Sequence, residues 1–230
     1  EKVAWAINSL SLDIVTKKLN CEHFSLENSN EVIELSKKFD VSLIGNGIGL
    51  DDETSGFVEC ITNKIHSYKV IDADAIKVIK QSDLMDSIIT PHIKELEIFS
   101  VNSQIKSKSV REIINEISPV KRAELLSTLL RRFFNNNNVL LLKGHIDIII
   151  SKDKILFNKT GNPGMTKAGT GDVLAGLCAG FLSQSKDLLQ SAINSAYYNG
   201  LIGDILYKKK KGYSYLASDM VEEIKRIIGN

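Results

Sequence analysis

The sequence predicts an α/β protein of three layers, a mainly parallel central sheet with helices on both faces. Short strand-like segments alternate with helical ones along most of the chain, the pattern that gives parallel sheets covered on both sides. The runs 139–142 and 146–150 are continuously apolar and of strand length, as strands buried on both faces require. The stretch 161–180, GNPGMTKAGTGDVLAGLCAG, passes from glycines at 161, 164, 169 and 171 into small and apolar residues. That reads as a loop feeding a helix.

Taken in order, 4–10 reads as a helix remnant, 13–16 as a short strand, and 30–39 as a helix with apolar Val32, Ile33 and Leu35 before a basic end. The strand 41–44 leads into the loop GNGIGLDDET at 45–54, then a helix at 56–66 and a strand at 69–71 that ends in DADA. A strand at 87–90 follows, and Pro91 opens a helical segment. Leu126, Leu129, Leu130, Phe133 and Phe134 fall at i, i+3, i+4, i+7 and i+8, one face of an amphipathic helix that the asparagines at 135–138 end. The segment 154–157 returns as a hairpin across SKDK. Ala175, Gly176, Ala179 and Gly180 place small residues at helical spacing, which predicts a close neighbour for that helix. A long helix covers 187–208, and a last one starts at Asp219 with Glu222 as capping-box partner. One domain over 1–230 is the expectation, without repeats or linker. Residue 1 is Glu and the chain opens straight into helical pattern, so a missing N-terminal segment is expected.

With 29 basic and 28 acidic residues the net charge is +1, which gives no reason to expect nucleic acid or an anionic membrane as partner. Cys21, Cys60 and Cys178 are odd in number and form no CxxC pair, so neither a disulfide framework nor a zinc site is indicated and a reducing cytoplasm fits. No apolar stretch reaches the roughly 18 residues of a membrane span.

Three loops bear on chemistry. Around Gly169, Thr170 and Gly171, glycines admit a ligand to the main chain and the following helix start offers unpaired N–H groups, which suits phosphate. Asp172 beside such a site is unfavourable unless it accepts a proton or faces a metal; the plainer reading is a helix cap. GNGIG at 45–49 is no dinucleotide fingerprint, because it spaces its glycines as GxGxG and is followed by acids. In TPHIKE at 90–95, His92 and Glu95 stand three apart without an evident further metal ligand.

The ordered set GNGIG, VIDADA, TPHIKE, LLLKG, GNPGMTKAGTGDVLAG and LASDM resembles the ribokinase-like superfamily and, more narrowly, the ADP- or ATP-dependent NAD(P)H-hydrate dehydratases, over nearly the whole chain. The resemblance implies a ribokinase-like fold and a cytoplasmic, homo-oligomeric lyase that repairs hydrated NADH or NADPH. Its (S) hydrate would be phosphorylated at the C6 hydroxyl, with Mg²⁺ present and ADP or ATP as donor, and phosphate then eliminated. By residue-wise matching, Asp172 is the base, and the N–H groups of Gly169, Thr170 and Gly171 form the anion hole. Gly47, Gly49, His92, Asn162 and Asp172 serve the substrate. Lys143, Gly144, His145, Ile146, Asp147 and Gly171 line the adenine nucleotide, and Glu95 orients water around Mg²⁺. Fusion or functional coupling to an NAD(P)H-hydrate epimerase is also implied. The chain departs from the family's usual GPG at Asn46, from PGE at Ile93 and Lys94, and from GGTGD at Ala168. A small-alcohol kinase and a noncatalytic nucleotide-binding subunit stay open beside the dehydratase, although the intact Asp172 argues against the last.

Overall fold

The computed structural model describes residues 1–228. Its sheet has six strands in chain order, β1 (Val41–Ile44), β2 (Tyr68–Ile71), β3 (Ser87–Ile89), β4 (Val139–Leu142), β5 (Asp147–Ile150) and β6 (Ile155–Asn158). The first four run parallel, in registers that set Ile44 beside Ile71, Ile71 beside Ile89 and Ile89 beside Leu140. The last two form the predicted antiparallel hairpin.

Strand residues alternate between faces. Ile44, Ile71, Ile89, Leu140, Leu142, Ile148 and Ile150 point into one core. There they meet Phe57, Val58 and Ile61 of α3 (Asp52–Lys64), Leu96 and Phe99 of α4 (Ile93–Asn102), and Leu126 of α6 (Pro119–Leu129). Val70, Ile88, Val139, Leu141 and Ile149 point the other way, against Leu174, Ala175, Cys178 and Leu182 of α8 (Thr170–Ser185) and Leu188, Ala192 and Ala196 of α9 (Leu188–Lys209). A third cluster joins α8 and α9 to α10 (Ala217–Ile227) through Val173, Leu177, Ile202, Leu206, Tyr215 and Met220. This is the three-layer α/β architecture expected. No helix among the described residues is long and apolar enough to cross a membrane.

Several elements differ from expectation. Helix α1 (Lys2–Leu10) forms but buries none of its residues, and 13–16 is the end of a turn and chain without regular structure rather than a strand. The 30–39 helix is α2 (Ser29–Ser36), and α3 begins within the expected loop, at Asp52. α5 (Ser107–Asn115) and the start of α6 lie where the pattern gives no separate element. The 126–134 face is buried but spans two helices, α6 and α7 (Arg131–Asn135), because Leu130 leaves helical geometry at φ −96, ψ 22. α10 starts at Ala217, and the acid at its third position, Asp219, accepts from the Leu216 N–H at 2.6 Å where Glu222 was expected to cap.

The small residues of α8 divide. Ala175 packs on the sheet, but a side chain added at Gly176 or Gly180 would meet nothing within 4 Å. The close approaches belong to α9, where a Cβ at Gly200 would lie 2.2 Å from Thr160 Oγ1 and one at Gly203 2.6 Å from Met165 Sδ.

Candidate active site

The residues that directly follow the four parallel strands are Gly45, Asp72, Thr90 and Lys143. Parallel strands deliver their carboxyl ends to one edge, where open α/β sheets bind ligands. Gly45 lies so close to its neighbour that a Cβ there would stand 1.8 Å from the Asp72 carbonyl oxygen, and its φ is +126. Only glycine fits that crossing.

The loop 161–169 arrives at the same edge after β6. Its start is clamped to α9: Asp204 accepts from the Gly161 N–H at 3.0 Å and from Asn162 Nδ2 at 2.9 Å. Asn162 Oδ1 accepts from the Gly164 N–H at 3.0 Å and from the Tyr215 hydroxyl at 2.7 Å. Both polar ends of Asn162 are therefore engaged in shaping the loop. Lys167 Nζ donates to the carbonyls of Tyr213 and Tyr215, tying the loop to the segment before α10.

The loop ends at Gly169, whose φ of +88 turns the chain into α8. Thr170 Oγ1 donates to the carbonyls of Met165 (2.6 Å) and Lys167 (2.9 Å), and its N–H reaches Lys167 O at 3.4 Å. The hydroxyl is thus structural. The N–H groups of Gly171 and Asp172 have no chain partner among the described residues, which leaves the positive end of the helix open to an anion.

Lys143 stands over this helix end. Its Nζ would be 3.6 Å from a Cβ placed on Gly171, and it lies 2.9 Å from Asp72 Oδ1 and 3.7 Å from Glu95 Oε2. Asp72 is 2% exposed and also accepts from Thr90 Oγ1 at 2.7 Å and from Asn46 Nδ2 at 3.0 Å. Asn46 Nδ2 donates as well to Asp172 Oδ1. One chain of contacts therefore runs from Asp172 through Asn46, Asp72 and Lys143 to Glu95.

His92 caps α4. Its Nδ1 accepts from the N–H groups of Lys94 and Glu95, and Glu95 Oε2 accepts from the His92 N–H at 2.9 Å. With Nδ1 an acceptor, the neutral ring carries its proton on Nε2, 3.5 Å from Glu95 Oε1. His92 also bridges in parallel to Lys143, whose N–H donates to Pro91 O at 2.8 Å.

The remaining predicted residues fall around this centre. Gly47 is exposed at φ +69, and the Gly49 N–H donates to Asp74, which Lys77 pairs at 2.8 Å, so the loop is braced. Gly144 and His145 are exposed, and Ile146 is half-buried. Asp147 closes the turn, accepting from the Gly144 N–H and from Asn158 Nδ2, while burial pushes its carboxyl above the ordinary range.

Beside Asp172 an apolar groove of about 590 Å³ runs between α8 and α10, floored by Gly176 and Gly180 and walled by Leu177, Phe181, Val221 and Ile224. Among the described residues no group of three or more His, Cys, Asp and Glu could cage a metal ion. Asp72, Asn46 and Thr90 carry no site role in the sequence reading. The signal that marks them is position, each within two residues of the end of a parallel strand.

Comparison with known proteins places the chain in a family. Residues 3–226 match the family model described as NAD(P)H-hydrate dehydratase. The chain is 33% identical, over 94% of its length, to the bifunctional NAD(P)H-hydrate repair enzyme Nnr of Methanocaldococcus jannaschii, of which it spans 39%. Among solved structures it resembles a ribokinase-like superfamily protein of Enterococcus faecalis (TM-score 0.69, 25% identity, 88% of this chain and 67% of that one). It shares its fold also with the ADP/ATP-dependent NAD(P)H-hydrate dehydratase of Bacillus subtilis, crystallised with ATP and Mg²⁺ (TM-score 0.63, 22% identity, 83% and 66%). With the family model covering almost the whole chain and the fold agreeing, the chain belongs to the NAD(P)H-hydrate dehydratase family.

Proposed function

We propose that this domain dehydrates the (S) hydrate of NADH or NADPH at the expense of ADP or ATP, restoring the reduced nicotinamide. The observation that carries the reading is Asp172 on the first turn of α8, beside open N–H groups and within one amide of the Lys143 pair. A phosphoryl group held there has a base next to it and a cation over it.

Hydroxide is a poor leaving group. Transfer of the terminal phosphoryl group to the C6 hydroxyl, with Asp172 accepting the hydroxyl proton, turns it into a good one. The C6–O bond then breaks, the ring nitrogen lone pair helps to expel phosphate, and loss of a proton from the neighbouring carbon closes the double bond. The Gly169, Thr170 and Gly171 turn cradles the transferring group, through the N–H groups of Gly169 and Gly171 more than that of Thr170, which is partly engaged. Lys143 neutralises the phosphates, and Gly144, His145, Ile146 and Asp147 line the nucleotide, Asp147 by holding the turn. His92 and the Gly47 to Gly49 loop face the hydrated ring, and Asn162 acts by shaping its loop.

The donor set fits a Mg²⁺ carried by the nucleotide's own phosphates and reached by Glu95 through water, since Mg²⁺ keeps several waters and takes few protein ligands. When bound, it would offset phosphate charge. Coupling to an epimerase, in the same or another chain, suits the bifunctional relative.

The test is incubation of the purified protein with hydrated NADH, Mg²⁺ and ADP or ATP, following absorbance in the reduced-nicotinamide band. Recovery of that band with release of phosphate is expected. Accumulation of a persistent phosphorylated product would instead mark a small-alcohol kinase.

A further inference from the structure

We infer that Asn46 is a positioning residue that fixes the carboxylate of Asp172, an inference that rests on reading Asp172 as the proton acceptor. Asn46 sits between Gly45 at φ +126 and Gly47 at φ +69, so the turn leaving β1 sets where its side chain points. Its Nδ2 donates to Asp172 Oδ1 and, at 3.0 Å, to Asp72 Oδ2. A primary amide has two N–H bonds, and here each meets a carboxylate. That settles the orientation of the amide, because turned round it would aim its oxygen at two anions.

The anchor at the far end is firm. Asp72 is 2% exposed, and its other oxygen accepts from Lys143 Nζ at 2.9 Å and Thr90 Oγ1 at 2.7 Å. These partners come from the ends of β3 and β4, so Asp72 cannot turn without breaking contacts to two strands. Asn46 passes that rigidity on to Asp172, which has no other side-chain partner among the described residues. One oxygen of Asp172 is pinned and the second is left, in a fixed direction, for the substrate hydroxyl. The amide also places two positive hydrogens between two like charges without adding a charge of its own. Such preorganisation acts on the chemical step, where small misplacements of a reacting group cost large factors in rate.

The experiment compares Asn46→Ala and Asn46→Gln in the parent and in an Asp172→Asn background, in the dehydration assay above. Asn46→Ala is expected to lower kcat about 10-fold or more, to leave the nucleotide KM unchanged, and to cause no further loss once Asp172 is Asn. Asn46→Gln, which keeps the NH₂ group, recovers part of kcat. Unchanged kcat, an equal loss in both backgrounds, or an effect confined to KM would each overturn the proposal. If the parent shows no dehydration, the functional reading fails by itself, and the contact is then read by NMR. The Asn46 side-chain amide signals are expected to move and to exchange faster with solvent in Asp172→Ala; signals that stay in place overturn the positioning role.

Discussion

At the scale of single residues, the proposed mechanism gives the proton to Asp172 and the phosphate charge to Lys143. Asp172→Asn keeps size and removes the proton-accepting oxygen, so nucleotide binding should persist while turnover falls about 10²-fold or more; near-normal turnover in a stopped assay would place the base elsewhere. Lys143→Met removes the cation between Asp72, 2% exposed, and Glu95, 5% exposed. Stripping one partner from a buried ion pair leaves the other uncompensated, so urea unfolding should show a loss of about 3 kcal/mol, with weaker nucleotide binding. Lys143→Arg should lose less. Asp172, His92, Glu95 and Lys143 could be singled out because each stands in a motif that is contiguous in sequence. Asp72 could not, since its partners come from three other strand ends, and the bonds by which Asn162 shapes its loop were hidden because Asp204 and Tyr215 lie 42 and 53 residues away.

Among the elements, α8 and α9 make opposite demands on glycine. Gly176 lines open space, so Gly176→Ala should gain helix propensity and stabilise by about 0.5–1 kcal/mol. Gly200→Ala would drive a methyl to 2.5 Å from the Thr160 carbonyl carbon, and should cost about 1–3 kcal/mol by overpacking. Thermal melts of the two variants should shift in opposite directions. α10 is held to α9 by Glu223, which bonds Lys209 and, at 3.0 Å, Arg226. The Lys209 bond foremost holds its carboxyl below the ordinary glutamate value of 4.5. A depressed folded value means stability that is present above about pH 4.5 and lost as pH falls through the folded one. The Tm deficit of Glu223→Gln should therefore be largest near neutrality and shrink in acid. Periodicity found the buried face through Leu126, Leu130, Phe133 and Phe134 but not the break at Leu130, because the same residues are buried whether one helix or two present them.

For the whole molecule, alternation of strand and helix made the sheet and its two covered faces readable, and burial on both faces made β4 and β5 plain. The segment 13–16 misled because a short apolar pair such as Ile14 and Val15 reads as a strand, whereas here it has no neighbouring strand to pair with. A ligand that binds only the folded form should stabilise all of this at once: adenine nucleotide with Mg²⁺, at a hundred times its Kd, should raise unfolding free energy by about 2.7 kcal/mol. Absence of any thermal shift at saturating ADP and ATP would remove the phosphate anchor from α8.

The sheet's strands stand side by side in the order in which the chain is made. Each strand leaving the ribosome can join the growing edge beside its predecessor, and α3, α4 and α6 are synthesised in time to cover one side as it forms. The other side has to wait. Val70, Ile88, Val139, Leu141 and Ile149 are all in place before α8 and α9 exist to cover them. During that interval the nascent chain carries an apolar sheet surface open to water and to other chains. The helix pair that closes it also brings the Gly169 turn, so the proposed phosphate anchor and the cover of that sheet face depend on the same late-synthesised segment.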